Sequence, residues 1–200
     1  MDLFNVNADQ NKLPFDGEVL NYGFVLNPSQ CNYYFNTFFI ADFWAFDKLV
    51  MFGKQIETKR KVAWFGNDAF DYIYAGTQKK ALKWTPELLQ LKEIVEQKTG
   101  LSFNSCLLNL YHNGNEGMGW HQDNEKELGV NPAIASLSLG ATRKFSFKHI
   151  QTKQKVDLFL EAGTLLLMKG ATQEKWMHSL PKTKNVQKPR INLTFRCFSN

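Results

Sequence analysis

The chain has 200 residues, 44% of them hydrophobic and 17 of them phenylalanine, with a net charge of +5. That length and apolar content specify one globular domain with a core of its own, and exclude a disordered or fibrous chain. The positive balance suits a polyanionic partner such as nucleic acid, although surface solubility alone accounts for it equally well.

Three cysteines, Cys31, Cys106 and Cys197, form an odd set without C-x-x-C spacing. They read as free thiols in a reducing compartment, with Cys106 and Cys197 as buried filler in strand-like stretches. Residues 1–14 form a polar tail with no basic and apolar leader pattern. The longest apolar stretch, 38–46, is broken by Asp42 and is too short to span a bilayer. A soluble, cytoplasmic, single-domain protein is expected.

In chain order, residues 18–26 read as a strand. A helix over 28–40 follows, with Asn27 as N-cap and Pro28 in its first turn. Residues 49–65 are β-like and basic, carrying Lys54, Lys59, Arg60 and Lys61. Thr85-Pro86-Glu87 opens a second helix whose Leu88, Leu91 and Val95 share one face, and Gly100 stops it. From residue 105 the pattern changes to short strands separated by turn residues: 106–112, 119–123, 134–139, 144–148, 156–160, 164–168, 176–180 and 190–198. Eight strands in about ninety residues suggest a mainly β (α+β) fold, a two-sheet jelly roll or double-stranded β-helix, with the N-terminal helices covering one outer sheet.

The last strand reads Arg190-Ile-Asn192-Leu-Thr194-Phe-Arg196. Alternation puts Arg190, Asn192, Thr194 and Arg196 on one face and Ile191, Leu193, Phe195 and Cys197 on the other. The polar face could simply meet water. It could also hold an anion with two acidic ends, because guanidinium pairs bidentately with carboxylate. Upstream, His121 and Asp123 lie two apart on an expected strand, and His178 lies on a later one. Two imidazoles and a carboxylate on one face of an ion leave positions open opposite, as in non-haem Fe(II) oxygenases; zinc hydrolysis is the competing chemistry. His-x-Asp alone is weak, and His178, like His112 and His149, reads by default as an ordinary core or surface residue. Asn109 and Tyr111, two apart on another strand, would add an amide and a phenol to the same pocket, or merely pack within the sheet.

These motifs resemble one family as a set: the AlkB-type Fe(II)/2-oxoglutarate dioxygenases that repair alkylated nucleobases. The matching pieces are Asn109-Leu-Tyr111, His121-Gln-Asp123, Ala133-Ile-Ala-Ser-Leu-Ser-Leu-Gly140, Trp176-Met-His178-Ser-Leu-Pro181 and Arg190 to Arg196, in the family's order. The resemblance implies His121, Asp123 and His178 as iron ligands, and Asn109, Tyr111, Arg190, Asn192, Thr194 and Arg196 around 2-oxoglutarate. It implies hydroxylation of an N-methyl group with O2, release of formaldehyde and the unmodified base, and departure of the cosubstrate as succinate and CO2.

The upstream half resembles the animal DNA-repair homologues more than the bacterial founding member. Met51-Phe52-Gly53-Lys54 is similar to a hairpin tip pushed into a duplex, with Phe52 as wedge and Lys54 on phosphate; Met51 and Phe52 as core strand residues is the plainer alternative. Arg60, before Trp64-Phe65-Gly66, and Tyr72-Ile73-Tyr74 fall where the family contacts the flipped base, and a cationic methylated base would stack well on an electron-rich ring. Glu125 matches an acidic position that reads the exocyclic amine, while Asn124 departs from the acidic residue of some relatives. The expected organisation is therefore a tail (1–14), a substrate-recognition extension (15–103) and a catalytic jelly-roll core (104–200). The expected activity is DNA demethylation at N1-methyladenine and N3-methylcytosine by a monomer, cytoplasmic or nucleoid-associated in a bacterium and nuclear in a eukaryote. RNA or tRNA demethylation or hydroxylation, and a nucleic-acid-binding module without catalysis, are the competing expectations.

Overall fold

A computed structural model describes residues 10–51, 54–67, 71–74 and 77–199, with the backbone alone for 47–51, 54–56, 71–74 and 77–80. In chain order, β1 (Glu18–Phe24) and α1 (Pro28–Phe39) lead into the hairpin of β2 (Ala45–Met51) and β3 (Lys54–Gly66). The short strands β4 (Asp71–Tyr74), β5 (Thr77–Lys80) and β6 (Leu82–Lys83) precede α2 (Pro86–Thr99). Then come β7 (Ser105–Tyr111), β8 (Met118–His121), β9 (Ile134–Gly140), β10 (Arg143–His149), β11 (Lys155–Leu160) and β12 (Thr164–Lys169). A one-turn helix α3 (Thr172–Lys175), β13 (Trp176–Leu180) and β14 (Arg190–Arg196) complete the chain.

Both long helices start where their caps dictate. Asn27 Oδ1 accepts from the Gln30 N–H at 2.9 Å, and Gln30 Oε1 accepts from the Asn27 N–H at 3.0 Å, a reciprocal capping box ahead of Pro28. Thr85 caps α2 through the Leu88 N–H, and Gly100 closes it in the left-handed conformation at φ 69°.

The strands pair into two sheets that face each other as a double-stranded β-helix, the jelly roll expected from the spacing of the second half. The larger sheet runs β1-β12-β9-β14-β7-β3-β2, with β6 added parallel to β3; the smaller runs β11-β10-β13-β8. β4 and β5 form a separate hairpin. β1, β2 and β3, all before residue 104, belong to the larger sheet.

Alternation then sorts the core into two layers. Ile191, Leu193 and Phe195 of β14, Cys106, Leu108 and Leu110 of β7, and Leu137 and Leu139 of β9 turn outward to meet Phe38 of α1 and Leu88, Leu91 and Val95 of α2. The opposite faces turn inward toward the smaller sheet, where Phe147, Trp176 and Leu180 oppose Ile134, Leu166 and Met168. Each fully buried Leu, Ile or Phe stabilises the fold by about 1.5–3 kcal/mol, so the helix layer is a large part of what holds the larger sheet in place.

Two expectations fail at strand ends. The strand expected over 119–123 stops at His121, which leaves Asp123 in the following loop. Cys197 is exposed rather than buried, because the ladder of β14 ends where Arg196 pairs with Ser105; Phe198 turns inward instead and packs on Trp64 with ring centroids 5.1 Å apart. Among the described residues no helix is long and apolar enough to cross a membrane.

Gly140 joins β9 to the turn into β10 at φ 80°, where a Cβ would lie 2.5 Å from the Pro189 carbonyl oxygen and 2.7 Å from the Phe35 ring. Gly140→Ala should therefore destabilise the fold by roughly 2–4 kcal/mol, from backbone strain and overpacking together. Denaturant unfolding measures this, and a midpoint equal to that of the unsubstituted protein would contradict the contact.

Candidate metal and cosubstrate site

β8 and β13 pair antiparallel with His121 directly opposite His178, which brings the two rings to a centroid distance of 4.2 Å. His121 Nδ1 donates to the Gly119 carbonyl oxygen at 2.9 Å, which leaves Nε2 as the nitrogen toward Asp123, 3.8 Å from Oδ1. One ligand atom from each of His121, Asp123 and His178 lies within 4.8 Å of the other two, the one such group of metal-binding side chains among the described residues.

The protonation states suit a cation. Burial pushes the Asp123 pKa up, but the Arg196 guanidinium, followed by His178 and His121, outweighs it and holds the carboxyl well below the usual carboxylate range. Arg196 Nη2 donates to Asp123 Oδ2 at 2.7 Å, with both side chains almost fully buried. Burial and then His121 push the His178 pKa down to about 3, against the opposing pull of Asp123. Its ring is therefore neutral near pH 7, and its buried Nδ1 has no hydrogen-bond partner. A buried neutral imidazole at His178, the Nε2 of His121 and an ionised Asp123 carboxylate make the donor set of a 2-His-1-carboxylate centre, so the residues fit such an ion.

The inner face of β14 forms the adjoining wall. Arg190, Asn192, Thr194 and Arg196 all line the cavity that holds His121, Asp123 and His178, as do Asn109 and Tyr111 of β7, which pair in register with Asn192 and Arg190. Arg190 is fully buried; Nη2 donates to Ser138 Oγ at 3.0 Å while Nε has no partner. Burial lowers its pKa to about 10, against the opposing effect of Tyr111, so it stays cationic at neutral pH. Asn192 Nδ2 donates to Ser136 Oγ at 2.8 Å, and Thr194 Oγ1 donates to Asn192 Oδ1 at 3.2 Å. The two arginines have different neighbours. Arg196 sits on the carboxylate of Asp123, while Arg190 pairs with no carboxylate among the described residues and lies beside Tyr111, the kind of site a carboxylate fills.

The substrate residues expected from sequence are placed unevenly. Arg60 is buried on β3 and lines the same cavity, with Nη1 2.7 Å from Met118 Sδ. Asn124 is exposed and borders a separate hollow with Gln122 and Pro132. Glu125 is half-buried, does not line the metal cavity, and has Oε2 without a partner. Phe52 and Gly53 lie outside the described residues, as do the side chains of Lys54, Tyr72, Ile73 and Tyr74.

Sequence reasoning missed several residues that build the site. Ser136 and Ser138 anchor Asn192 and Arg190, and their alternation with Leu137 and Leu139 was a readable signal. Phe145 stacks on His178 with centroids 5.4 Å apart. Arg143 is buried and donates to the carbonyl oxygens of Asn113, Glu116 and Pro181 with its guanidinium 5.9 Å from the Tyr111 ring, so it ties two loops to the strand that bears Tyr111. Gln173 accepts from the Asp123 backbone; nothing in its local sequence marks it.

The sequence profile of the 2OG-Fe(II) oxygenase superfamily matches residues 25–196. The alpha-ketoglutarate-dependent dioxygenase alkB homolog 3 of Bos taurus is 44% identical over 146 residues, which cover 68% of this chain and 51% of that protein. The DNA oxidative demethylase ALKBH2 of Bos taurus is 38% identical over 160 residues, covering 76% of this chain and 58% of that protein. The chain thus spans little more than half the length of the curated relatives it matches. The solved structure of OsALKBH1 superposes with a TM-score of 0.63 at 18% identity, covering 92% of this chain and 99% of that one, a likeness of fold.

The buried triad also sets an acid sensitivity. His178 and Asp123 both titrate lower in the folded than in the unfolded chain, so the unfolded state takes up more protons and stability falls as the pH falls. For His178 the window runs from 6.5 down to about 3, and the Asp123 contribution is lost only at pH below the ordinary carboxylate range. The urea midpoint of chelator-treated protein should decline through the His178 window, and His178→Leu should flatten that decline. An unchanged slope in the variant would contradict a neutral buried imidazole.

Proposed function

The chain belongs to the 2OG-Fe(II) oxygenase superfamily, in its AlkB-type branch, and we propose that it is an oxidative demethylase of N1-methyladenine and N3-methylcytosine in DNA. One observation carries this reading: one cavity joins the His121, Asp123 and His178 cluster to the Arg190, Asn192 and Thr194 row. Relatives at 38–44% identity, one of them named a DNA oxidative demethylase, support DNA as the polymer.

Fe(II), when bound with 2-oxoglutarate, supplies dioxygen activation, the cosubstrate leaving as succinate and CO2. In this reading His121 through Nε2, His178 and Asp123 hold the ion, and Arg196 keeps Asp123 ionised and oriented. Arg190 takes the far carboxylate of the cosubstrate through a guanidinium that the protein leaves partly unsatisfied, with Asn109, Tyr111, Asn192 and Thr194 fixing its orientation. Phe145 and Leu180 border the same cavity with apolar surface, which limits water beside the ion. Hydroxylation of the N-methyl carbon gives a hemiaminal that collapses to formaldehyde and the unmodified base. Arg60, from within the cavity, and Phe52, Gly53, Lys54, Tyr72, Ile73, Tyr74, Asn124 and Glu125, on sequence grounds, form the proposed nucleic-acid side. A monomer acting where the genome lies, in cytoplasm or nucleus, completes the proposal.

Purified protein with Fe(II), 2-oxoglutarate and ascorbate, given methylated single-stranded DNA, duplex DNA and RNA, should restore the base and release formaldehyde on DNA. Asp123→Ala should abolish both. Succinate formation without repair of any polymer would sink the nucleobase reading, and repair confined to RNA would replace DNA as the substrate. Phe52→Ala should weaken duplex repair more than single-strand repair; an equal loss would place Phe52 in the core instead.

A further inference from the structure

Because β8 ends at His121, the ladder that fixes one candidate metal ligand does not reach the other, two residues on. Ligands to an ion need their positions set to within about 0.5 Å by the residues behind them. What sets Asp123 is a side chain from elsewhere. The Asp123 backbone N–H donates to Gln173 Oε1 at 2.9 Å, and the Gln173 side chain belongs to a residue only 2% exposed. The intervening residue is strapped to the same turn: Gln122 Nε2 donates to the backbone carbonyls of Gln173 and Glu174 at 2.7 and 3.2 Å.

The turn that carries Gln173 is itself held on both sides. α3 lies between β12 and β13, the latter bearing His178. Gln173 Nε2 reaches Met168 Sδ of β12 at 3.7 Å. The neighbouring Thr172 hydroxyl donates to the Lys169 carbonyl at 2.6 Å and accepts from the Glu18 N–H of β1 at 2.8 Å. A chain of hydrogen bonds therefore runs from the edge strand through α3 to the backbone of Asp123. It meets that residue at its backbone N–H, whereas Arg196 meets it at the carboxylate.

We infer that Gln173 is a positioning residue of the metal site, its side-chain carbonyl setting the backbone of Asp123 so that the carboxylate faces His121 and His178. The inference rests on the metal assignment above and concerns a residue that touches neither the ion nor the cosubstrate. Removing a group that orients a metal ligand weakens metal binding by about 10–100-fold.

Chelator-treated protein titrated with Co(II), by calorimetry and by visible absorption, tests this without any turnover. Gln173→Met keeps the length of the side chain and removes the acceptor, and should weaken Co(II) binding by about 10–100-fold and alter the ligand-field bands. Gln173→Glu keeps the acceptor and should bind Co(II) within a few-fold of the unsubstituted protein, as an order-of-magnitude expectation. Where Gln173→Met does not fold, Gln173→Asn, which draws the amide back by one methylene, carries the same expectation of weakened binding. Unchanged affinity and spectrum in a folded Gln173→Met or Gln173→Asn variant would overturn the role, and so would a Gln173→Glu variant as weak as Gln173→Met. An unsubstituted protein that binds no Co(II) would instead overturn the metal assignment itself.

Discussion

A strand offers its two faces to two different neighbours, and the whole molecule is arranged around what that does to β14. Ile191, Leu193 and Phe195 must be dry, and they are, against the helices; the same geometry forces Arg190, Asn192, Thr194 and Arg196 into the space between the sheets. Two guanidinium groups and a carboxylate in that space are costly to desolvate, each by several kcal/mol, and are tolerable only where they answer one another or a ligand. Arg196 and Asp123 answer one another. Arg190 has a serine hydroxyl and an aromatic ring. The fold is thus a way of supplying enough apolar burial on one side of a sheet to hold an unfavourable polar row on the other.

The parts legible from the sequence were those governed by short-range rules. Caps at Asn27 and Thr85 and the stop at Gly100 located the helices, because they act through hydrogen bonds and dihedral angles only a few residues away. Alternation assigned the faces of β14 and β7 for the same reason. The jelly roll followed from the spacing of strands, and the identity of the triad from motifs in order.

What was not legible depended on where strands stop and on what packs behind them. His121 and Asp123 share a face in an ideal strand, yet the strand ends at His121 and Asp123 is placed by Gln173 and Arg196, 50 and 73 positions away in the chain. Cys197 continued the apolar alternation on paper, but its neighbour ladder had run out. Arg143 is a buried cation. Its burial is explained by three carbonyl acceptors on loops whose proximity no local pattern reveals. Long-range partners such as these are the part of a site that one-dimensional reading does not reach.

Arg143 has a further implication for how such a protein can change. Its guanidinium joins the loop after β7 to the loop after β13, and these loops also interlock through Gly114, whose N–H donates to the Val186 carbonyl while its own carbonyl accepts from the Thr183 N–H. A Cβ at Gly114 would collide with the Thr183 backbone oxygen. The two loops are therefore tied to each other by backbone and guanidinium hydrogen bonds together. The lysines carried by the second loop, Lys182, Lys184 and Lys188, are exposed above that backbone. None of the backbone hydrogen bonds beneath them uses a lysine side chain, so the charge of this surface is independent of the contacts that hold Arg143 beside Tyr111.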